Sequence, residues 1–181
     1  MKLSPPERLE LLRIARDAIE RHLVASDRTP PAASRMPRLG RAFVTIRTAG
    51  ELRGCIGSVD SGELLVSVVS RCAVLASAED PRFPPLTAEE LSLLRIEISV
   101  LGPFEPVGDV AEIEIGRHGL IVEQGLRRGL LLPQVATEQA WDRETFLRHA
   151  CLKAALHPEA WRKGATIYKF EAEVFGEEEP T

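Results

Sequence analysis

Apolar residues recur at helical spacing at the start of the chain. Leu9, Leu12, Ala15, Ile19 and Leu23 lie three or four apart, with charged residues between them. Ahead of them Ser4-Pro5-Pro6-Glu7 has the form of a capping box with prolines in the first turn, so a helix is predicted to about residue 24. Residues 26–40 (SDRTPPAASRMPRLG) lose the period and are rich in Pro, Ser and Arg, which reads as a long exposed connection. Strand alternation then takes over in RAFVTIRTAGELRGCIG. Phe43 and Thr45 point one way, Val44 and Ile46 the other, and Thr48-Ala49-Gly50 marks the turn of a hairpin.

Gly62-Glu63-Leu64 opens a second helix with Leu64, Leu65, Val68, Val69, Cys72, Leu75 and Ala76 on its buried side. Cys72 reads there as core, because a free cysteine behaves as a small hydrophobe. EDPRFPPL ends that helix with three prolines, and Thr87-Ala88-Glu89-Glu90 is a further capping box. LRIEISVL at 94–101 alternates Leu94, Ile96, Ile98 and Val100 with polar partners, as a half-buried strand does. A β-rich stretch follows in EIEIGRHGLIVEQGLRRGLLLP, with turns at GRHG and GLRRG. Asp142 caps a helix through about Ala155, with Phe146, Leu147 and Ala150 facing inward. ATIYKFEAEVF is a long final strand, and residues 177–181 (EEEPT) read as an acidic disordered tail.

Strands and helices come in clusters without regular βαβ alternation. That order predicts an α+β fold, a mostly antiparallel sheet with flanking helices, in a single domain over residues 1–176. Composition agrees: 181 residues suit one domain or two small lobes, and 44% hydrophobic with 28% charged residues is an ordinary soluble balance. No apolar run approaches the roughly 18–20 residues that cross a bilayer. The opening MKLSPPERLELL carries charges where a signal peptide needs its apolar stretch, so the expected location is the cytoplasm. Cys55, Cys72 and Cys151 are odd in number and far apart, which fits free thiols in a reducing compartment. The net charge of −4 hides nine Lys/Arg against five Asp/Glu in residues 1–41, yet no dense basic block appears. This disfavours a dedicated nucleic-acid binder.

Candidate chemistry is sparse. No GxGxxG follows a strand, and no GxxxxGK, HExxH or paired CxxC occurs, so no cofactor is expected. His149, Cys151 and His157 are the nearest thing to a metal set. Residues two apart on a helix face different ways, however, and no metal is expected either. Cys55 stands out. Arg53, two residues earlier on the same strand, offers a cation that lowers a thiol pKa. Gly54 and Gly57 leave the backbone open to a ligand, and His118 in the turn GRHG is the best candidate for a general base. Against these stand bland alternatives: a bulge with a small buried thiol, and a histidine that only caps its turn. DPRFPPL adds Asp80, Arg82 and the anchor Phe83 on a proline frame. LLLPQVA places Gln134 directly after Pro133, where it either orients a substrate or satisfies backbone groups. Trp141 and Trp161 read as core or lobe-interface residues.

Taken in order, FVTIRTAGELRGCIG, AEDPRFPPLTAEEL, ISVLGPFEP, IGRHGLIVEQG, RGLLLPQVATE, FLRHACLKAAL and IYKFEAEVF resemble the AMMECR domain family over about residues 7–175. The resemblance implies two unequal lobes around a cleft near LRGCIG. It also implies genomic company with a Memo-like protein and a radical SAM enzyme, the AmmeMemoRadiSam system. The family positions carried over are Arg53, Gly54, Cys55, Gly57, Asp80, Arg82, Phe83, His118, Pro133 and Gln134. Ala155 departs from the pattern, because glycine is expected after Lys153-Ala154, and that helix end needs another way to close.

The resemblance implies no particular reaction. One class is a small-molecule enzyme with Cys55 and His118 catalytic in an Arg/Cys/His cleft. The other is a regulatory binding module that recognises a protein partner or nucleic acid and uses LRGCIG as a rigid surface. The DPRF loop is expected to pack beside LRGCIG, since each carries a cation near glycine or proline as two walls of one pocket would. On the enzyme reading Cys55 has a depressed pKa. Cys55 is then alkylated faster than Cys72, and loses reactivity in Arg53→Ala.

Overall fold

The computed structural model describes residues 2–24 and 36–177. Most of the expected 26–40 connection, and the tail beyond Glu177, lie outside the described residues. The fold is α+β and falls into two compact units. One holds the described residues up to Val100 together with those from Glu173, and the other is Leu101–Ala172.

In the first unit, helix α1 (Pro5–Val24) precedes the hairpin β1 (Arg41–Thr48) and β2 (Glu51–Ser58), helix α2 (Leu65–Ala78) and strand β3 (Leu94–Leu101). The Glu7 carboxylate accepts from the backbone N–H of Ser4 at 2.7 Å and from its hydroxyl at 2.7 Å, which anchors the start of α1. The buried stripe of α1 is Leu11, Leu12, Ile14, Ala15, Ala18 and Ile19. Leu9, expected inside, is 69% exposed, so the stripe is rotated slightly from the predicted one. Leu64 likewise precedes α2 and is exposed, whereas Leu65, Val68, Val69, Cys72 and Ala76 enter the core. That core also takes Ala42, Val44 and Ile46 of β1 and Leu94, Ile96 and Ile98 of β3. The strand order here is β2-β1-β3, continued by the end of β7 (Thr166–Gly176), so β2 is a terminal strand.

Ala49 and Gly50 both take positive φ (51° and 83°), as a two-residue hairpin turn with the twist of its strands requires. The β1–β2 pairing is antiparallel and slips between Ile46 and Arg47: Ile46 faces Gly54, Arg47 faces Leu52, and Arg53 is the extra residue. LRGCIG therefore contains a β-bulge, which bends the strand and re-aims the arginine.

In the second unit, β4 (Glu105–Pro106) and β5 (His118–Gln124) each pair antiparallel with β7, and β6 (Arg127–Leu131) pairs antiparallel with β5. Helices α3 (Pro133–Glu138) and α4 (Arg143–Lys153) follow β6. Asp142 caps α4 by accepting from the Thr145 N–H at 2.8 Å, and Phe146, Leu147, Ala150 and Cys151 fill this unit's own core. Trp141 and Trp161 pack against that core. Pro133, read from sequence as the end of a strand with Gln134 behind it, instead opens α3 and lies in its first turn.

The far end of α4 answers the question that Ala155 raises. Leu156 N–H donates to Cys151 C=O at 2.9 Å and Ala155 N–H to Leu152 C=O at 2.9 Å, the paired bonds of a Schellman cap. Ala155 occupies the left-handed position of that cap at φ 55°. The motif closes without glycine, at the cost of holding a Cβ where left-handed backbone crowds it. Ala155 is exposed, so its methyl contributes no core packing. Ala155→Gly is expected to stabilise the protein by about 1 kcal/mol, a rise in Tm of roughly 2–4 °C, read by thermal and urea unfolding. An unchanged or lowered midpoint would show the cap to be unstrained.

Candidate functional site

The site in the first unit is organised by Asp80, the last residue before the prolines of DPRFPPL. Its side chain is 3% exposed. Oδ2 accepts from the backbone N–H of Cys55 at 2.8 Å, a contact across 25 residues of sequence. Oδ1 accepts from the Arg82 backbone N–H at 3.1 Å, and the Arg82 guanidinium closes on the same carboxylate through Nε (3.0 Å) and Nη2 (2.7 Å). The bonds from Arg82, opposed by burial, hold the Asp80 carboxyl far below the usual carboxylate range. Asp80 C=O also accepts from the Phe83 N–H at 3.1 Å, which makes the DPRF segment a closed turn. The DPRF loop thus does pack against LRGCIG.

Arg53 supplies the second tie. Re-aimed by the bulge, it pairs with Glu90 through Nε (2.8 Å) and Nη2 (3.2 Å) and donates to the carbonyls of Pro84 (2.6 Å) and Pro85 (3.2 Å). Glu90 at the same time closes the capping box with Thr87, as expected from sequence. Hydrogen bonds from Arg53, opposed by burial, lower its pKa. Arg53 is therefore consumed in bracing the loop.

Cys55 is partly exposed. Its Sγ accepts from the Thr45 hydroxyl at 3.3 Å, the residue directly opposite on β1. Burial pushes the thiol pKa up; the Thr45 bond and the Arg82 charge pull it down less strongly, and Asp80 and Glu97 push it up further. The expected depressed pKa is thus overturned, for two reasons. Arg53 is tied to Glu90 and the loop, and desolvation outweighs the cation that does act, Arg82. Cys72, wholly buried on α2, is pushed up by burial to about 11.

The two glycines of the motif also do something other than expected. A Cβ at Gly54 would collide with the Ala76 carbonyl of α2, and one at Gly57 would overlap the Phe43 ring. The space their missing side chains leave is filled by the protein itself rather than left open to a ligand. Arg82 remains half exposed, with its guanidinium carbon 5.3 Å from the centre of the Phe83 ring.

The other expected site residues lie in the second unit. His118 is the first residue of β5, not a turn residue, and is 7% exposed. Its Nδ1 accepts from the Glu114 N–H at 3.0 Å while its own N–H donates to Glu114 C=O at 3.0 Å. The histidine closes the turn it follows. That bond engages Nδ1 in closing the turn, while Nε2 makes no contact in it. Pro133 is buried at the start of α3 and Gln134 follows it.

The residues weighed as a metal set are each engaged otherwise. His149 stacks on Trp141 (3.9 Å between ring centres), Cys151 is buried in the core, and His157 Nδ1 accepts from the Glu159 N–H at 3.1 Å. Glu177, read as the first residue of a loose tail, accepts from Arg16 Nε at 2.6 Å and from the Ile96 N–H at 3.0 Å.

Glu97 and Ser99 are two polar positions of β3 on the face away from the core. Both follow from the alternation of β3: Ile96 and Ile98 enter the core, so the residues between and after them face the opposite side of the sheet. On β1 that side carries Phe43 and Thr45, and on β2 Cys55.

Comparison with known proteins places this arrangement. The family profile described as AMMECR1 matches residues 12–175. A protein of Thermofilum pendens is 42% identical over 99% of this chain and 93% of its own length. One of Methanopyrus kandleri is 44% identical over 99% and 92%. The crystal structure of an uncharacterized protein from Pyrococcus horikoshii superposes with a TM-score of 0.87 at 40% identity, covering 94% of this chain and 91% of that one.

Asp80→Asn tests the brace. Loss of the charged bonds is expected to cost about 1–3 kcal/mol in urea unfolding at pH 7, at the lower end because Arg82 can turn to water. Since the folded carboxyl titrates below the unfolded value of about 3.9, its contribution is full above that value and is lost as pH falls through the folded one. The wild type minus Asn difference should therefore be flat from pH 7 to about 5 and shrink below about pH 4. A difference that grows on acidification would refute the assignment.

Proposed function

The chain belongs to the AMMECR1 family, and we propose that its LRGCIG–DPRF site works by recognition, as a regulatory binding module in which Cys55 serves as a neutral thiol. The observation that carries this reading is the state of Cys55. Burial raises its pKa, and the cation expected to activate it, Arg53, is spent on Glu90 and two proline carbonyls. A protonated thiol is a poor nucleophile but a serviceable contact: a small polarisable surface with a weak donor. The surroundings favour rigidity over turnover. Asp80 fixes the Cys55 backbone, Thr45 fixes its sulfur, and Ala76 and Phe43 close the glycine positions. Such preorganisation serves binding, because little is left to order when a ligand arrives.

One observation favours the second reading, a cysteine-dependent enzyme acting on a small molecule. Cys55 is only partly buried, and the half-exposed Arg82 acts on it in the activating direction. Thiol labelling separates the two. On the binding reading, iodoacetamide labels Cys55 of the folded protein with an apparent pKa above the ordinary cysteine value of about 8.5. Arg82→Gln raises that value further, and Arg53→Gln moves it less than Arg82→Gln does. Peptide mass spectrometry of labelling across pH 6–10 supplies the measurement. An apparent pKa below about 8 would return the site to the nucleophile reading.

A further inference from the structure

The two motif arginines are spent differently. All three guanidinium nitrogens of Arg53 donate to Glu90, Pro84 or Pro85. Arg82 instead meets Asp80 side-on, through Nε at 3.0 Å and Nη2 at 2.7 Å, and among the described residues its guanidinium is bonded to that carboxylate alone. A side-on pair leaves the outer edge of the fork, one N–H on Nη1 and one on Nη2, parallel and aimed away from the aspartate. The Arg82 side chain is 53% exposed and Asp80 only 3%, so the exposed part is this outer edge.

The edge is also held in place. Asp80 Oδ1 takes the Arg82 backbone N–H at 3.1 Å, and the Phe83 ring centre lies 5.3 Å from the guanidinium carbon. Cys55 stands beside it. Its backbone N–H and Arg82 Nη2 meet on one oxygen, Asp80 Oδ2, so no more than two hydrogen-bond lengths part them. Cys55 is partly exposed, and its sulfur accepts from Thr45, which leaves the thiol's own proton to donate.

We propose that the outer edge of Arg82 is an anion subsite of the LRGCIG–DPRF surface, and that it grips the carboxylate of a ligand through two parallel hydrogen bonds beside the Cys55 thiol.

The proposal rests on the binding reading and supplies the chemistry of its ligand. A fork of parallel N–H donors matches a planar oxyanion and offers nothing to a cation, so a ligand must lead with acceptors there. Charge decides between oxyanions. Asp80 already balances Arg82, and Glu90 balances Arg53, so these four residues carry no net charge. A carboxylate gains from the geometry of the fork, whereas a phosphate dianion finds no surplus of positive charge to meet its own. The neutral thiol points the same way: a thiolate would repel the incoming anion, and a thiol adds a weak donor. Because Asp80 and Phe83 already fix the guanidinium, little is left to order on binding.

The test is a titration of the uniformly ¹⁵N-labelled full chain with sodium butyrate, butylammonium chloride, sodium phosphate and Nα-acetyl-alanyl-leucine, each at equal ionic strength. Butyrate is expected to shift the Arg82 Nε–H signal and the Cys55 and Arg82 amides together, and butylammonium to leave them in place. Saturating butyrate should also slow iodoacetamide labelling of Cys55 by about twofold or more at fixed pH, since an anion beside the sulfur disfavours the thiolate. Arg82→Lys, which keeps the charge and loses the fork, should weaken butyrate binding several-fold. Tighter binding of the peptide acid assigns the carboxylate to the chain end of a partner, and equal or weaker binding to a small acid. The proposal is overturned by no shift with either carboxylate, equal shifts with butylammonium, or tighter binding of phosphate. Labelling that butyrate leaves unchanged, or an unaltered response in Arg82→Lys, overturns it too. Should Arg82→Lys fail to fold, the wild-type comparison of butyrate with butylammonium and phosphate still decides. The binding reading fails separately, through a low labelling pKa at Cys55 without butyrate while the butyrate shifts remain.

Discussion

A buried carboxylate must be surrounded by donors, and a terminal strand leaves backbone N–H groups in need of acceptors. Asp80 meets both demands at once. It accepts the Cys55 N–H, and it gathers the backbone and the guanidinium of Arg82, so the DPRF turn can close only where β2 already lies. Arg53 repeats the logic in the other direction, reaching from the bulge to the proline carbonyls and to the capping Glu90. Two segments far apart in sequence become one rigid surface through eight charge-assisted bonds, five of which run between the segments.

That rigidity governs the chemistry. The same contacts that locate Cys55 withdraw Arg53 from it and shield the sulfur from water, so the thiol is stabilised in its protonated form. The glycines of LRGCIG belong to this economy of space. At Gly54 the α2 backbone comes in to touch the strand, and at Gly57 the Phe43 ring lies flat where a side chain would stand.

The second unit reaches order by different means. Its histidines are structural neighbours before anything else: His118 closes the turn from Glu114, His149 lies on Trp141, and His157 caps the Glu159 N–H. Its α4 ends in a left-handed alanine, a local strain that the Schellman bonds and the buried Leu156 offset.

Periodicity alone determined the element types. The helical spacing from Leu12 to Ile19, the alternation in β1 and β3, the Thr87 and Asp142 caps and the hairpin at Ala49-Gly50 are local properties, set by backbone geometry within a few residues. The α+β class followed from their order. The DPRF and LRGCIG motifs could likewise be picked out, because Arg, Asp and Cys among glycines and prolines are unusual locally. Their chemistry could not. Whether Arg53 activates Cys55 or braces a loop depends on Glu90, thirty-seven residues away. That a backbone N–H of Glu114 meets His118 Nδ1 depends on how the turn before β5 closes. Hydrogen-bond partners and desolvation act through space, so charge state and role were decided only by the tertiary structure.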